Sequence, residues 1–145
     1  LEAIQCGCGR MGCLETVSSA TGIIRMAKDA VARGDKTSLA LVEEELTAKH
    51  VIDAAKEGDE AAARIVSRAA FYLGKSMAVV ALVVNPERFI IGGGVSKAGE
   101  YLFSQIREAF GKLTPANATA GVEIVAAELG NNAGVVGAAG LFLRA

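Results

Sequence analysis

Residues 71–96 read FYLGKSMAVVALVVNPERFIIGGGVS, and three changes of structure are written into them. Phe71, Leu73, Met77, Val79, Val80, Leu82, Val83 and Val84 make the first part apolar on nearly every side of a helix, which predicts a central, buried helix. Asn85-Pro86 stops it, because proline disfavours helical backbone in the residue before it and fixes its own φ. Arg88-Phe89-Ile90-Ile91 then predicts a short buried strand running into Gly92-Gly93-Gly94, with a helix from Lys97 to Leu113 beyond. Helix, strand, glycine turn and helix in that order give the α/β class.

Working outward, residues 14–33 carry apolar side chains near a 3.6-residue period, which predicts a helix interrupted near Gly22 and ended by Gly34. Thr37 or Ser38 can cap a second helix through Leu46, and Thr47 a third through Ala55, with Glu43, Glu44 and Glu45 on a solvated face. Asp59 caps the long helix that ends at Val84. Downstream, Thr114-Pro115 breaks the chain, residues 122–125 predict a second strand, and Asn131-Asn132 opens a last helix from Ala133 to Leu143. No internal repeat or interdomain linker stands out.

The whole fits one domain. At 145 residues with 52% hydrophobic and 21% charged side chains, the chain can bury a core and is a poor match to disorder. Fifteen Lys and Arg against sixteen Asp and Glu leave a net charge of −1, which gives no electrostatic footprint for nucleic acid or an anionic membrane. The longest apolar run, residues 77–84, is far short of a membrane span, and a cytoplasmic protein is expected. The first residue is Leu1, directly before a cysteine cluster with no preceding element to support it. The expectation is a chain whose amino-terminal lobe is absent.

That cluster, Cys6-Gly-Cys8-Gly-Arg-Met-Gly-Cys13, packs all three cysteines into eight residues separated by glycines. It has the form of a metal knuckle, with zinc preferred to a disulfide that would leave one thiol over; three unrelated free thiols are the plain alternative. Only three ligands are offered. His50, the single histidine, sits beside Lys49 and Asp53 on an amphipathic helix and is read as an ordinary histidine. Glu15 follows the cluster at a helix start, where a carboxylate suits the helix dipole or, held in place, the hydroxyls of a sugar. Gly92, Gly93, Gly94 and Val95 lie between strand and helix, where bare amides can receive a phosphate; a tight turn without ligand fits equally, and neither a Walker loop nor a full G-x-G-x-x-G is present.

Taken together, Cys6-x-Cys8-Gly9-x-x-Gly12-Cys13-Leu14-Glu15-Thr16 followed by Ser19-Ala20-Thr21-Gly22-Ile23 resembles the signature of the ROK family (repressors, open reading frames and kinases), whose knuckle reads C-x-C-G-x-x-G-C-L-E. Asn85-Pro86, residues 90–96 and residues 129–139 keep the family's order, so the resemblance covers essentially the whole chain and is strongest to glucokinases. It implies the carboxy-terminal lobe of an actin-like ATPase fold, of the ribonuclease H-like kind, with residues 1–15 as its zinc knuckle. It further implies ATP with magnesium as phosphoryl donor, the 6-hydroxyl of glucose as acceptor, and a homodimer. By the same resemblance Glu15 hydrogen-bonds the sugar, Cys6, Cys8 and Cys13 are three zinc ligands, and Gly92 to Val95 line the nucleotide site. The family's fourth ligand, a histidine before the knuckle, has no counterpart here, nor do its phosphate loop and catalytic aspartate, so no catalytic residue is named. The sugar-sensing half of a ROK repressor and a kinase for another hexose, such as N-acetylmannosamine or fructose, are the alternatives.

Overall fold

The computed structural model describes residues 3–142, leaving aside the side chains of Val95, Lys97 and Asn131. The expected boundary at Leu1 and the expected helix end at Leu143 lie outside the described residues. Among the described residues seven helices and two strands follow one another: α1 Glu15–Ser18, α2 Ala20–Ala32, α3 Ala48–Lys56, α4 Glu60–Val84, β1 Arg88–Ile91, α5 Glu100–Leu113, α6 Ala116–Thr119, β2 Glu123–Ala126 and α7 Ala133–Phe142. Short 3-10 turns occupy Ser38–Leu41, Gly94–Ala98 and Gly130–Asn132.

Local chemistry sets most of these boundaries. The Thr47 hydroxyl caps α3, and the Asp59 carboxylate accepts from the Ala62 amide at 2.9 Å to start α4. At the other end of α4, Asn85 adopts a left-handed φ of 44° and its N–H returns to the Ala81 carbonyl, with Pro86 preventing continuation. The core forms where α2, α3, α4 and α5 meet, around the fully buried Ile23, Val51, Val66, Leu102 and Ile106. Helices α4 and α5 approach most closely at Gly74, where an added Cβ would lie 2.8 Å from that of Ala109 and 2.9 Å from the Ile106 carbonyl oxygen. The strands β1 and β2 pair in parallel, Arg88 opposite Glu123 through Ile91 opposite Ala126, and α5 makes the crossover between them. Ile91 and Ile124 turn inward, and the Phe89 ring meets that of Phe110 edge-on.

Several expectations need correction. The first helix breaks at Ser19 rather than Gly22, because Ser19 is extended and spends its hydroxyl on the Gly22 amide. The expected helix from residue 38 to Leu46 is only the turn Ser38–Leu41: Thr37 caps it by accepting from the Leu39 amide, and the Thr37 and Ser38 hydroxyls also donate to Asp59, which ties the turn to the start of α4. Helix α5 begins at Glu100 and not at Lys97, since the turn Gly94–Ala98 and a left-handed Gly99 intervene. Strand β1 is buried on one face only, with Ile90 exposed. Helix α4, expected to be buried throughout, is covered on one side in its second half, and α7 has no buried residue among those described. By length and hydropathy α4 would also suit a membrane, yet 44% of its most apolar window is buried against neighbouring helices.

Candidate functional site

The cysteine cluster is a closed turn. An antiparallel bridge joins Gln5 to Met11, the Cys6 amide donates to the Arg10 carbonyl at 2.7 Å, and Gly12 donates to Ile4 at 2.8 Å. Gly9 and Gly12 take φ of 84° and 73°, which side chains with a Cβ resist, so the turn can reverse twice within eight residues. As a result the three sulfurs lie within 4.8 Å of one another, and those of Cys8 and Cys13 are 3.6 Å apart. Thiolates about 2.3 Å from a tetrahedral zinc would stand about 3.8 Å from each other, so the donor set fits such an ion. The Cys8 backbone pulls the Cys6 thiol down, but the Glu15 carboxylate, then the Cys8 sulfur, outweigh it and push the thiol up to about 12. Cys8 moves the opposite way, held below the usual thiol range by the Arg10 backbone and the Cys13 sulfur. His50 takes no part: its Nδ1 accepts from the Thr47 amide and its Nε2 faces Glu44 at 3.1 Å, both at the start of α3.

Glu15 opens α1, is exposed, and has both oxygens engaged. Cys6 Sγ donates to Oε2 at 3.0 Å, and Thr21 Oγ1 to Oε1 at 3.4 Å. Behind Thr21, the Ser19 hydroxyl lies 2.7 Å from Oγ1 and accepts from the Gly22 amide at 3.0 Å. The four-residue α1 cannot hold its orientation alone. Three contacts anchor it: Ser18 Oγ donates to the Ala69 carbonyl of α4 at 3.0 Å, Arg25 donates to the Thr16 carbonyl at 2.7 Å, and Gly22 presses so closely that a Cβ would sit 2.7 Å from that same carbonyl oxygen.

The glycine turn reaches the same place. Gly93, at φ 78°, accepts from the Ser96 hydroxyl at 2.8 Å, and a Cβ on Gly94 would come within 3.3 Å of Ala20 Cβ, the first residue of α2. Gly94 therefore abuts the helix start that carries Thr21, while Gly92 packs toward Ala127 after β2. The expectation that a helix amino terminus follows the glycines directly is corrected, because α5 starts only at Glu100, whose carboxylate pairs with Arg107. Val95 continues the turn Gly94–Ala98, and its side chain lies outside what the structure describes. A cavity of about 790 Å³ between Thr37, Ser38, Asp59 and Arg64 holds none of these residues. Reading the sequence alone missed the roles of Ser19 and Thr21 toward Glu15; the signal available was the Ser19-x-x-Gly22 capping spacing.

The ROK family model matches residues 1–145. The chain belongs to the ROK family. It is 45% identical over 135 residues to the glucokinase of Halalkalibacterium halodurans, a match covering 91% of this chain and 41% of that protein. Among solved structures, the ROK glucokinase of Streptomyces griseus in complex with glucose and AMPPNP superimposes with a TM-score of 0.79 at 34% identity, over 97% of this chain and 47% of that one. A ROK family transcriptional regulator homologous to the E. coli MLC protein gives a TM-score of 0.75 at 30% identity, over 86% of this chain and 31% of that one. The ROK chain thus spans less than half the length of each of these relatives, and its helix-rich α/β arrangement is theirs.

Proposed function

We propose that this ROK chain is the carboxy-terminal lobe of an ATP-dependent glucokinase that transfers a phosphoryl group to the 6-hydroxyl of glucose. The observation that carries the reading is convergence: the cysteine turn, Glu15 and the glycine turn meet at the first turn of α2, in a chain similar to a glucokinase along most of its length. In this reading Cys6, Cys8 and Cys13 hold a structural zinc, which supplies a rigid brace for the turn before Glu15. Glu15 accepts hydrogen bonds from sugar hydroxyls, and the bare backbone of Gly92 to Gly94 lies against the nucleotide, whose phosphates carry magnesium. No described residue is assigned as the base that takes the hydroxyl proton. The actin-like two-lobed architecture, a cytoplasmic location and a homodimer belong to the same proposal, the last supported by the exposed apolar side of α4.

A coupled assay with ATP and glucose on the whole protein that carries this chain tests it. Turnover is expected, and Glu15→Gln should lower kcat/KM roughly ten- to a hundredfold, as loss of a charged hydrogen bond does. Unchanged kinetics in that variant would return Glu15 to the role of a helix-start carboxylate. The likeness to a regulator favours a second reading, a sugar-sensing lobe of a repressor. Glucose binding without turnover would select it. For the zinc, metal analysis of protein purified without chelator should find about one equivalent; less than about a tenth would remove the metal from the proposal.

A further inference from the structure

We propose that Thr21 is the positioning residue for Glu15, fixing the direction in which its carboxylate faces the sugar. This rests on Glu15 being a sugar ligand. Thr21 stands in the first turn of α2 and is exposed, so the core does not require its hydroxyl. Ser19 Oγ accepts from the Gly22 amide at 3.0 Å and lies 2.7 Å from Thr21 Oγ1. With the Ser19 proton given to Thr21, the Thr21 proton is directed at Glu15 Oε1, 3.4 Å away. In that arrangement the relay runs from amide to hydroxyl to hydroxyl to carboxylate.

On its other side Glu15 Oε2 accepts from the Cys6 thiol at 3.0 Å, a bond that Cys6 gives up as the thiolate a zinc requires, which leaves Thr21 as the described donor to Glu15 that a metal would not remove. An exposed glutamate otherwise samples many rotamers, and a sugar that needs one of them must select it at a cost in affinity. Gly22 makes the relay rigid: α2 touches the Thr16 and Glu15 carbonyl oxygens so closely that no Cβ fits, and the separation of Thr21 from Glu15 is set by backbone against backbone. Cys6 shares its sulfur with the cysteine cluster, whereas Glu15 is the described carboxylate acceptor for Thr21.

The test uses the whole protein, with glucose binding followed by calorimetry and kinetics run beside it. Thr21→Val keeps the shape of the side chain and deletes the proton. It should raise both Kd and KM for glucose about three- to tenfold, the net worth of one ordinary hydrogen bond felt through Glu15, with kcat, zinc content and thermal midpoint unmoved. Thr21→Ser, which keeps the hydroxyl, should restore both constants. In a Glu15→Gln background, Thr21→Val should add nothing. If Glu15→Gln weakens glucose binding while Thr21→Val does not, or if the two effects add in full, the positioning role is overturned and the sugar contact of Glu15 stands. If Glu15→Gln binds glucose like the parent, both fall together.

Discussion

The two halves of α4 are nearly equal in hydrophobic content and opposite in surroundings. In the first half, Ala61, Ala62, Ile65, Val66, Ala69 and Ala70 are all buried, two adjacent columns of the helix covered by α1, α2, α3 and α5. After Gly74 the buried residues shrink to Met77, Ala78 and Ala81, a single stripe at helical spacing. Val79, Leu82, Val83 and Val84 face outward, Val83 at 78% of its full exposure. The same chemistry therefore serves a finished core at one end and an unfilled contact at the other. Among the described residues nothing covers the outward side of the second half, which leaves an exposed apolar face.

Substitutions can break or sharpen that contrast. The largest effect is expected at Gly74, on the boundary between the halves: Gly74→Val forces branched carbon into the Ala109 side chain and the α5 backbone, and should cost about 3 kcal/mol in denaturant unfolding. Stability equal to the parent would show that α4 and α5 separate freely. Gly22→Ala is next, at about 2 kcal/mol, with amide exchange quickened specifically in α1, because the new Cβ meets the Thr16 carbonyl. Uniform loss without an α1 signature would detach that close approach from the site.

Asp59 supports the covered half electrostatically. Burial works to raise its carboxyl, but hydrogen bonds from the Ala62 amide, Ser38 and Thr37 hold it down at about 2, against 3.8 ordinarily. A depressed carboxyl stabilises the fold fully above its unfolded value and ceases to do so as pH falls through the folded one. The stabilisation should fade between about pH 4 and 2 by about 1 kcal/mol, discounted for solvent screening, and Asp59→Asn should abolish that pH dependence. A variant still losing the same stability over that interval would assign it to another group. The smallest change in stability belongs to Val83→Lys, within about 0.5 kcal/mol, while light scattering should show this chain associating less with concentration than its parent. A larger loss would mean that the uncovered half is covered after all.

What the sequence disclosed was whatever neighbours in the chain decide. Thr47, Asp59 and Asn85-Pro86 set helix ends through their own caps and φ, both strands lie within a residue of where their β-branched runs place them, and three cysteines in eight residues converge as spaced. What it withheld depends on partners far along the chain. Asp59 accepts from the hydroxyls of Thr37 and Ser38 across more than twenty residues, a tertiary tie that no local pattern contains. The bare flank of α4 depends on what the rest of the chain places against it, which no window within α4 contains. In the same way the candidate sugar ligand Glu15 was legible by its place after the knuckle, but the role of Thr21 waits on the angle between α1 and α2, fixed by a contact at Gly22.

The cysteine turn is built from a short stretch of chain: its sulfurs come from Cys6 to Cys13, and its backbone bonds stay between Ile4 and Gly12. Closing so short a loop takes on the order of 10–100 ns and little entropy, whereas seating Ser18 on Ala69 must bring together residues 51 apart in the chain. The cysteine turn can accordingly close on a ribosome-bound chain long before α4 has been synthesised. Glu15 then acquires its orientation in a second step, when the later helices arrive beneath a turn already made.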